Sequence, residues 1–342
     1  MRQRITQKDV AKAAGVHSTT VSMVFRNHPS IPEKTRCRVR DIASKLGYTH
    51  DPMLSALAAY RTSQRPASYQ GALAWLSNSE GGFDWKTSPH FRVYYAAVQR
   101  RASSHGYQIA DFDIHAAGSS ARRVAGILRA RNITGVLVCP QPAACTRIEF
   151  PWEDFSAVTF GYTLETPKLH TVAASFYRDI RQTMENVRKR GYERIGLVLN
   201  LSDDQRFDHY VLASYLVDEF LLRQTISLAP LLENYREKPA VLRKWFQKYR
   251  PQVIVAQDWR VLAILRDQGI RVPEDVGFAC AGLPLGTNEM TGVVEDSSRM
   301  GEVAVDLVVA MIQRGERGVP GKVQRILIEG DWVEGRTLGS PP

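Results

Sequence analysis

The 342-residue sequence lacks the features of membrane, secreted disulfide-rich and metal-binding proteins. No run approaches the 18 apolar residues that a membrane span needs, and the N-terminus has no apolar segment typical of a secretory signal. The four cysteines are scattered, without a C-x-x-C pair or the spacing of metal ligands. We therefore expect a cytoplasmic protein with reduced thiols, no metal and no membrane contact.

Common catalytic motifs are also missing. The sequence contains neither a G-x-x-x-x-G-K-[ST] phosphate loop nor a G-x-S-x-G nucleophile elbow. The histidines show no H-x-x-x-H spacing, and acid pairs such as Glu153-Asp154 and Asp203-Asp204 are typical of solvated loops. We expect no enzyme activity and no cofactor.

The positive charge of the chain is concentrated at one end. Residues 1–66 contain 12 Lys/Arg and 4 Asp/Glu, which gives this segment a net charge of +8, against +10 for the whole chain. A small basic module on a nearly neutral body favours contact with a polyanion. The alternative is a solvated charged face without a partner.

Three short helices are predicted in the basic segment. Thr6 is a good N-cap, and Asp9 can complete a capping box. Gly15 ends the first helix, His17 or Ser18 caps a second that runs to about Phe25, and a third covers about 33–46. Two helices joined by a tight glycine turn and braced by a third form a helix-turn-helix unit, which reads the DNA major groove. A three-helix packing module without a DNA role is the alternative.

The predicted inward positions of the second and third helices are apolar, and the outward positions are polar or basic. The inward residues are Val21, Val24, Phe25, Val39, Ile42, Ala43 and Leu46. The outward residues are His17, Ser18, Thr19, Ser22, Met23, Arg36, Arg38, Arg40 and Lys45.

The segments KDVAKAAGVHSTTVS and HPSIPEKTRCRVRDIASKLGY resemble the DNA-binding headpiece of LacI/GalR-type bacterial transcription regulators. The resemblance is close over residues 5–61 and looser over the rest of the chain. It implies that Ser18, Thr19 and Met23 face base edges, and that Thr20 and Ser22 contact phosphates. The DNA-binding residues expected on this basis are Thr6, His17, Ser18, Thr19, Thr20, Ser22, Met23, Arg26, Leu54 and Leu57.

A hinge helix is predicted next. Asp51 can cap it and Pro52 suits its first position, so MLSALAAY (53–60) is expected to be helical. A helix this short is unstable alone in water. The resemblance implies that two such helices pair in the DNA minor groove, where Leu57, beside Leu54, levers the base pairs apart. The alternative is a linker helix that packs its apolar residues against its own body.

Short apolar runs alternate with amphipathic segments from Gly71 onward, which is typical of parallel sheets with helices on both faces. The predicted strands are GALAWL, YQIADFDI, GVLVCP, AVTFGY, LHTVAA, RIGLVLN, VIVAQ and VGFACAG. The predicted helices are 92–105, 119–131, 176–190, 207–223, 239–249, 259–268 and 298–314.

The resemblance, supported by GYERIGLV, VPEDVGFA and EGDWVEGRTL in the right order, implies the architecture. It is a small all-α helix-turn-helix domain plus two Rossmann-like α/β lobes with parallel sheets, of the periplasmic-binding-protein type I class, between which the chain crosses three times. The expected domains are a headpiece (1–49), a hinge and linker (50–66) and a two-lobed body (67–342). Lobe one covers about 70–175 plus 298–325, and lobe two about 176–297 plus 326–342.

Small molecules bind between such lobes, at the carboxyl ends of the strands. The residues expected to bind an effector are Asn78, Ser79, Trp85, Phe91, Tyr94 and Arg206. The loops at 203–206 and after Cys280 are also expected to face this cleft. The resemblance implies an acidic residue just after the VPEDV strand, where this chain reads Ala-Gly-Leu-Pro.

Together these features predict a homodimeric transcription regulator, most simply a repressor. It is expected to bind double-stranded operator DNA and a small-molecule effector, possible classes being sugars and other metabolites. Two other hypotheses stay open: a solute-binding protein with a basic appendage, and a sugar-modifying α/β enzyme fused to a helix-turn-helix unit.

Overall fold

The computed structural model describes residues 5–25, 31–46, 48, 69–116, 118–223 and 228–341. Arg26, Leu54 and Leu57, and with them the predicted hinge helix, lie outside these ranges. The described residues comprise three N-terminal helices and an α/β body that begins before Gly71.

The predicted helix-turn-helix elements are present. The three helices are α1 (Gln7–Ala14), α2 (Ser18–Phe25) and α3 (Glu33–Leu46). The Thr6 amide and hydroxyl both donate to the Asp9 carboxylate, at 2.8 and 2.7 Å, so the predicted capping box is confirmed. These hydrogen bonds hold the pKa of Asp9 below its ordinary value. Gly15 ends α1 in the left-handed conformation (φ +63°), which glycine adopts without strain.

A small apolar core joins the three helices. Its buried residues are Val10, Ala11, Ala14, Val21, Val24, Val39 and Ala43. Leu46, predicted to be buried, is 38% exposed because it is the last residue of α3, beyond the buried positions at its centre. Arg36, predicted to point outward, is half-buried and donates to the Ile31 carbonyl at 3.3 Å.

The body contains two large sheets, each made of strands from separate parts of the sequence. The strands of the first sheet are β1 (Gly71–Ser77), β2 (Tyr107–Asp113), β3 (Gly135–Val138), β5 (Ser156–Phe160), β7 (His170–Ala174) and β12 (Arg325–Ile328). They lie in the order β12-β7-β5-β3-β1-β2 and are all parallel. The register of β1 against β2 runs from Gly71–Tyr107 to Ser77–Asp113.

The second sheet has the order β13-β11-β10-β9-β8, in which only β13 is antiparallel. Its strands are β8 (Ile195–Val198), β9 (Val253–Ala256), β10 (Gly277–Leu283), β11 (Thr291–Val294) and β13 (Asp331–Val333). A short ladder elsewhere pairs β4 (Thr146–Arg147) with β6 (Leu164–Thr166). Most central strands are buried along their whole length, as expected for sheets covered on both faces.

Helices flank both sheets. They are α4 (Pro89–Ser104), α5 (Ala121–Ala130), α6 (Phe176–Lys189), α7 (Leu201–Arg206), α8 (Tyr210–Arg223), α9 (Ala240–Tyr249), α10 (Val261–Asp267) and α11 (Ser297–Arg314). All eight predicted strands and seven predicted body helices are confirmed, with ends that differ by a few residues. The sequence reading missed α7, β4, β6 and β11–β13, because elements this short show no full period of hydrophobicity.

The chain passes between the two sheets three times, and the three crossings lie against one another. It leaves the first sheet at Ser175, returns after Glu295 and leaves again at Gly330. The Ser175 amide donates to the Ile328 carbonyl at 2.8 Å. A Cβ atom on Gly330 would lie 2.6 Å from the Val294 carbonyl oxygen, so only glycine allows this approach.

Asp179 ties two of these crossings together from inside the protein. Its side chain is 2% exposed, and its carboxylate accepts a hydrogen bond of 3.0 Å from the Gly330 amide. Burial raises the pKa of Asp179 to about 7, and the nearby Glu295 and Glu329 carboxylates add to this effect, while the Gly330 amide opposes it. Folding therefore favours the protonated form of this carboxyl.

The Asp179→Asn variant tests this description. In the natural chain the pKa of Asp179 lies above its ordinary value of 3.8, so stability falls as the pH rises from about 4 to about 7. Asparagine still offers an acceptor to Gly330 but has no proton to lose. Over this pH range we expect the free energy of unfolding to fall less for the variant than for the natural chain, and the difference between the two chains to be at most about 4 kcal/mol. Urea unfolding of both chains between about pH 4 and pH 8 measures the difference, and equal slopes of unfolding free energy against pH would contradict the assignment.

Candidate nucleic-acid interface and inter-sheet cavity

The second helix presents a polar edge because its apolar residues are used inside. Val21 and Val24 are fully buried in the headpiece core, whereas Thr19 and Met23 are exposed. The other predicted residues of this edge are half-buried: Ser18, Thr20 and Ser22. No residue of α2 is charged. Short polar side chains without negative charge are suited to the DNA major groove.

His17 starts this helix. Its ring Nδ1 lies 2.9 Å from the Thr19 hydroxyl oxygen and accepts a hydrogen bond of 3.4 Å from the Thr19 amide. Its carbonyl oxygen accepts from the Thr20 amide at 2.9 Å. The usual capping side chains are those of Ser, Thr, Asp and Asn. The structure thus assigns the capping role, which the sequence left open between His17 and Ser18, to an imidazole.

Other predicted DNA contacts are placed less directly. Thr6 is exposed at the start of α1, where its hydroxyl donates to Asp9. Seven Lys/Arg and three Asp/Glu belong to the described part of the headpiece, so this part keeps a basic balance. Arg26, Leu54 and Leu57 stay predictions, because they lie outside the described residues.

A cavity of about 400 Å³ opens between the two sheets. Residues that follow strands of both sheets line it, among them Gly161 and Tyr162 after β5 and Gln257 and Asp258 after β9. This is the carboxyl end of the parallel strands, where open α/β sheets bind ligands.

The structure brings only some of the predicted effector residues to this cavity. Phe91, Tyr94 and Arg206 line it. Asn78 instead is buried and donates to the Gln141 side chain at 3.0 Å. Trp85 is also buried, with its ring 5.4 Å from that of Trp75.

Ser79, the sixth predicted effector residue, is likewise absent from the lining. Its amide lies 3.3 Å from the Asp113 carboxylate, at the end of β2. Residues 203–206, predicted as a loop that faces the cleft, belong to α7. Asp203 does line the cavity, as does Gly282 after Cys280.

Aromatic rings form much of the cavity wall. Tyr94 stacks on Phe160 with a centroid distance of 5.3 Å, and Phe91 stacks on Tyr94 at 5.7 Å. Phe176 and Phe207 form a second pair, 4.5 Å apart. The sequence reading missed Phe160, Phe176 and Phe207. Each of them lies at or just after the end of a strand or helix, and this position in the sequence could have marked them as candidates for the cavity wall.

Charged side chains in the segments that follow strands of the second sheet form ion pairs with one another at the cavity. The Arg236 guanidinium bridges the carboxylates of Asp203 and Asp258, at 2.5 and 2.7 Å. Arg260 donates to the other oxygen of Asp258 at 2.8 Å. Burial alone would raise the pKa of Asp258, but the two arginines hold it below its ordinary value.

A second polar cluster surrounds Glu295, at the crossing from β11 to α11. Its carboxylate accepts hydrogen bonds from the Tyr94 hydroxyl (2.6 Å) and the Ser297 hydroxyl (2.9 Å), and lies 3.4 Å from His90 Nδ1. Burial alone would raise the pKa of Glu295, but His90, Tyr94 and Ser297 keep it below its ordinary value. Burial acts in the opposite direction on His90, whose pKa is nevertheless raised by the carboxylate.

Arg206 reaches across the cavity from one side to the other. It ends α7, which follows a strand of the second sheet, and donates to the carbonyl oxygens of Pro142 (2.6 Å) and Gln141 (3.0 Å). Those residues follow β3 of the first sheet. Burial lowers the pKa of Arg206 despite the nearby Asp203 carboxylate. The guanidinium thus links α7 to the loop after β3 through backbone atoms of that loop.

One polar atom at the cavity has no partner among the described residues. The Gln257 Oε1 atom is buried and accepts no hydrogen bond from them, although the residue lines the cavity. A buried acceptor without a donor is costly, so a donor supplied by a ligand would stabilise it.

Comparisons with known proteins agree with this two-part organisation. The model for bacterial regulatory proteins of the lacI family matches residues 6–51, and that for the periplasmic binding protein-like domain matches residues 184–338. The uncharacterized HTH-type transcriptional regulator YkvZ of Bacillus subtilis is 22% identical over 280 residues, which cover 79% of this chain and 81% of that protein. The HTH-type transcriptional repressor PurR of Pectobacterium carotovorum is 29% identical over 133 residues, 39% of this chain and 35% of PurR.

Solved structures share the fold over nearly the whole chain. The transcriptional regulator CelR in complex with cellobiose has a TM-score of 0.57 at 20% identity, covering 98% of this chain and 100% of that chain. The lac repressor dimer bound to operator and the anti-inducer ONPF has a TM-score of 0.54 at 17% identity, with the same coverage.

A helix-turn-helix headpiece carried by a periplasmic-binding-protein-like body defines a class of transcription regulator rather than an enzyme. The chain combines a headpiece of the lacI family of bacterial regulatory proteins with a periplasmic binding protein-like domain. None of the helices in the described ranges is long and apolar enough to cross a membrane.

The Arg206→Lys variant tests the contact across the cavity. Lysine keeps the charge but cannot donate to two carbonyl groups with the fixed geometry of a guanidinium. We expect the variant to be less stable by about 1.5 to 3 kcal/mol, the range for hydrogen bonds that involve a charged group. Urea unfolding measures the change. The matched control is Arg129→Lys at the exposed pair with Asp154, for which we expect less than about 1 kcal/mol. Equal effects of both substitutions would show that the Arg206 contact stabilises the protein no more than an exposed ion pair does.

Proposed function

We propose that this regulator represses transcription in the bacterial cytoplasm by binding a pseudo-palindromic operator as a homodimer. Each subunit places α2 in a major groove, with Ser18, Thr19 and Met23 toward base edges and with Thr20 and Ser22 toward phosphates. The remaining headpiece contacts in this proposal come from Thr6, His17 and Arg26. The observation that carries the proposal is the accessible edge of α2 within a basic headpiece, which is uncharged and polar except for Met23.

The proposed domain division is a headpiece (1–49), a hinge and linker (50–66) and a body (67–342). Its lobes are about 70–175 plus 298–325 and about 176–297 plus 326–342. The hinge segments of two subunits meet at the centre of the operator, where Leu54 and Leu57 enter the minor groove. An apolar wedge between base steps costs stacking energy, but it gains contact surface on the bent duplex.

The cavity between the sheets is the proposed effector site. Its volume of about 400 Å³ is within the range of small-molecule sites, and both lobes contribute to its lining. A ligand there contacts both lobes at once, so it favours one lobe arrangement over another. Operator affinity changes when the favoured arrangement differs in the spacing of the hinge segments.

The effector proposed for this site is an uncharged ring-shaped molecule with hydrogen-bond donors, such as a neutral sugar. The guanidinium groups at the cavity already have partners within the protein. Arg236 and Arg260 pair with carboxylates, and Arg206 donates to backbone carbonyl groups. A charged ligand would have to displace one of these pairs. The stacked rings of Tyr94 and Phe160 offer a flat apolar face, and Gln257 Oε1 offers an acceptor. The cellobiose bound to the similar CelR is a molecule of this class.

Operator selection from random DNA tests the repressor proposal. We expect the full chain to enrich one pseudo-palindromic sequence at ~0.15 M salt. The Leu57→Ala variant is expected to bind that sequence about 10-fold more weakly while its affinity for random DNA changes less than about 2-fold, because only the specific complex is bent. Equal losses of affinity for both DNAs would contradict the hinge role of Leu57. Equal affinity of the full chain for all sequences would contradict the proposed function.

A thermal-shift panel tests the effector class. Neutral sugars and nucleosides are compared with sugar acids and sugar phosphates, since a bound ligand stabilises the folded chain by mass action. We expect the largest shift from an uncharged compound. The Gln257→Met variant, of similar volume but without the acceptor, is expected to bind that compound about 10-fold more weakly. A shift only with anionic compounds, or an unchanged affinity of the variant, would contradict the proposed ligand class.

A further inference from the structure

The contact between His17 and Thr19 joins a capping residue to a residue proposed to read DNA. Thr19 is exposed on the edge of α2, and its hydroxyl oxygen lies 2.9 Å from His17 Nδ1. A threonine hydroxyl has one proton to donate and two lone pairs to accept, and its proton normally rotates to suit the partner. A fixed neighbour removes that freedom.

The direction of this hydrogen bond follows from a second contact to the same nitrogen. The Thr19 backbone amide lies 3.4 Å from His17 Nδ1 and can only donate. Nδ1 therefore presents its lone pair, and the ring proton is on the other nitrogen. The Thr19 hydroxyl must then also donate to Nδ1. Its proton is used within the protein, and only its lone pairs remain for DNA.

We propose that His17 is a positioning residue that makes Thr19 a hydrogen-bond acceptor toward the base edges. In the major groove the donors are the amino groups of adenine (N6) and cytosine (N4), whereas N7, O6 and O4 are acceptors. Thr19 thus selects a base pair that places an amino group opposite its hydroxyl. This inference depends on the proposed function, in which α2 lies in the major groove.

A conventional capping residue would not have this effect. A serine at an N-cap accepts from a backbone amide of the first helical turn and leaves a neighbouring side-chain hydroxyl free to rotate. The His17→Ser variant therefore keeps the cap but releases the Thr19 hydroxyl. This separates the capping role of His17 from its effect on base reading.

The experiment begins with the operator that the full chain selects from random DNA. The base pair read by Thr19 is the one at which the Thr19→Val variant loses discrimination. At that pair, adenine is replaced by purine or cytosine by 2-pyrimidinone, each of which lacks the amino group. In a second duplex a 7-deaza purine removes the N7 acceptor instead. We expect loss of the amino group to weaken binding by the natural chain about 3- to 10-fold, and loss of N7 to change it less than about 2-fold.

The His17→Ser variant is then measured on the same duplexes. We expect its melting temperature to match that of the natural chain, because serine keeps the cap. Its affinity for random DNA is measured alongside, so that loss of a His17 contact common to all sequences is separated from a change in discrimination. Replacing the amino group by an acceptor oxygen (an inosine–cytosine pair for adenine–thymine, or a uracil–adenine pair for cytosine–guanine) should weaken binding by the variant less than about 2-fold and binding by the natural chain at least about 3-fold. Only the released hydroxyl can turn its proton toward the oxygen. The double variant His17→Ser/Thr19→Val should discriminate between the duplexes to the same extent as Thr19→Val alone, because both substitutions act on the same interaction.

Three results overturn the inference while leaving the proposed function in place. They are a natural chain that responds to loss of N7 rather than of the amino group, a His17→Ser variant with unchanged discrimination, and a Thr19→Val variant that loses discrimination at no base pair. Absence of any enriched sequence in the selection overturns the proposed function itself, and this inference with it.

Discussion

The three crossings between the sheets are the constraint on which the rest of the body depends. Each crossing carries backbone polar groups through a water-poor region, and these groups need partners there. Gly330 lies against the Val294 carbonyl, and its amide donates to Asp179, so three distant parts of the sequence meet at one place. Motion of one lobe relative to the other must therefore bend the chain at these three points together.

The cavity beyond these crossings combines a flat aromatic wall with charges that are already paired. Arg236 and Arg260 neutralise Asp203 and Asp258 on one side, and His90 faces Glu295 on the other. Charges that are paired before a ligand arrives keep their orientation and need little rearrangement. Such a site distinguishes ligands by shape and by the direction of hydrogen bonds rather than by net charge.

The sequence alone predicts what local signals determine. Thr6, Asp9 and Gly15 mark the ends of α1, and continuous apolar runs such as those of β8 and β9 identify buried strands. The cavity residues are harder to predict because topology brings them together. Trp85 and Asn78 are compatible with a ligand site in sequence. In the structure Trp85 packs against Trp75 on β1, and Asn78 bonds to Gln141, 63 residues further along the chain, so both are buried away from the cavity. Gln257 and Glu295 gain their positions only when both sheets exist.

The bonds from Arg206 end on main-chain oxygens of the loop opposite, at Gln141 and Pro142, and not on side chains. Every residue type carries such an oxygen. The contact consequently depends on the path of that loop and not on the side chain at Pro142. Over evolutionary time a substitution of Arg206 would therefore break the contact, whereas a substitution of Pro142 that keeps the loop's path would leave it intact.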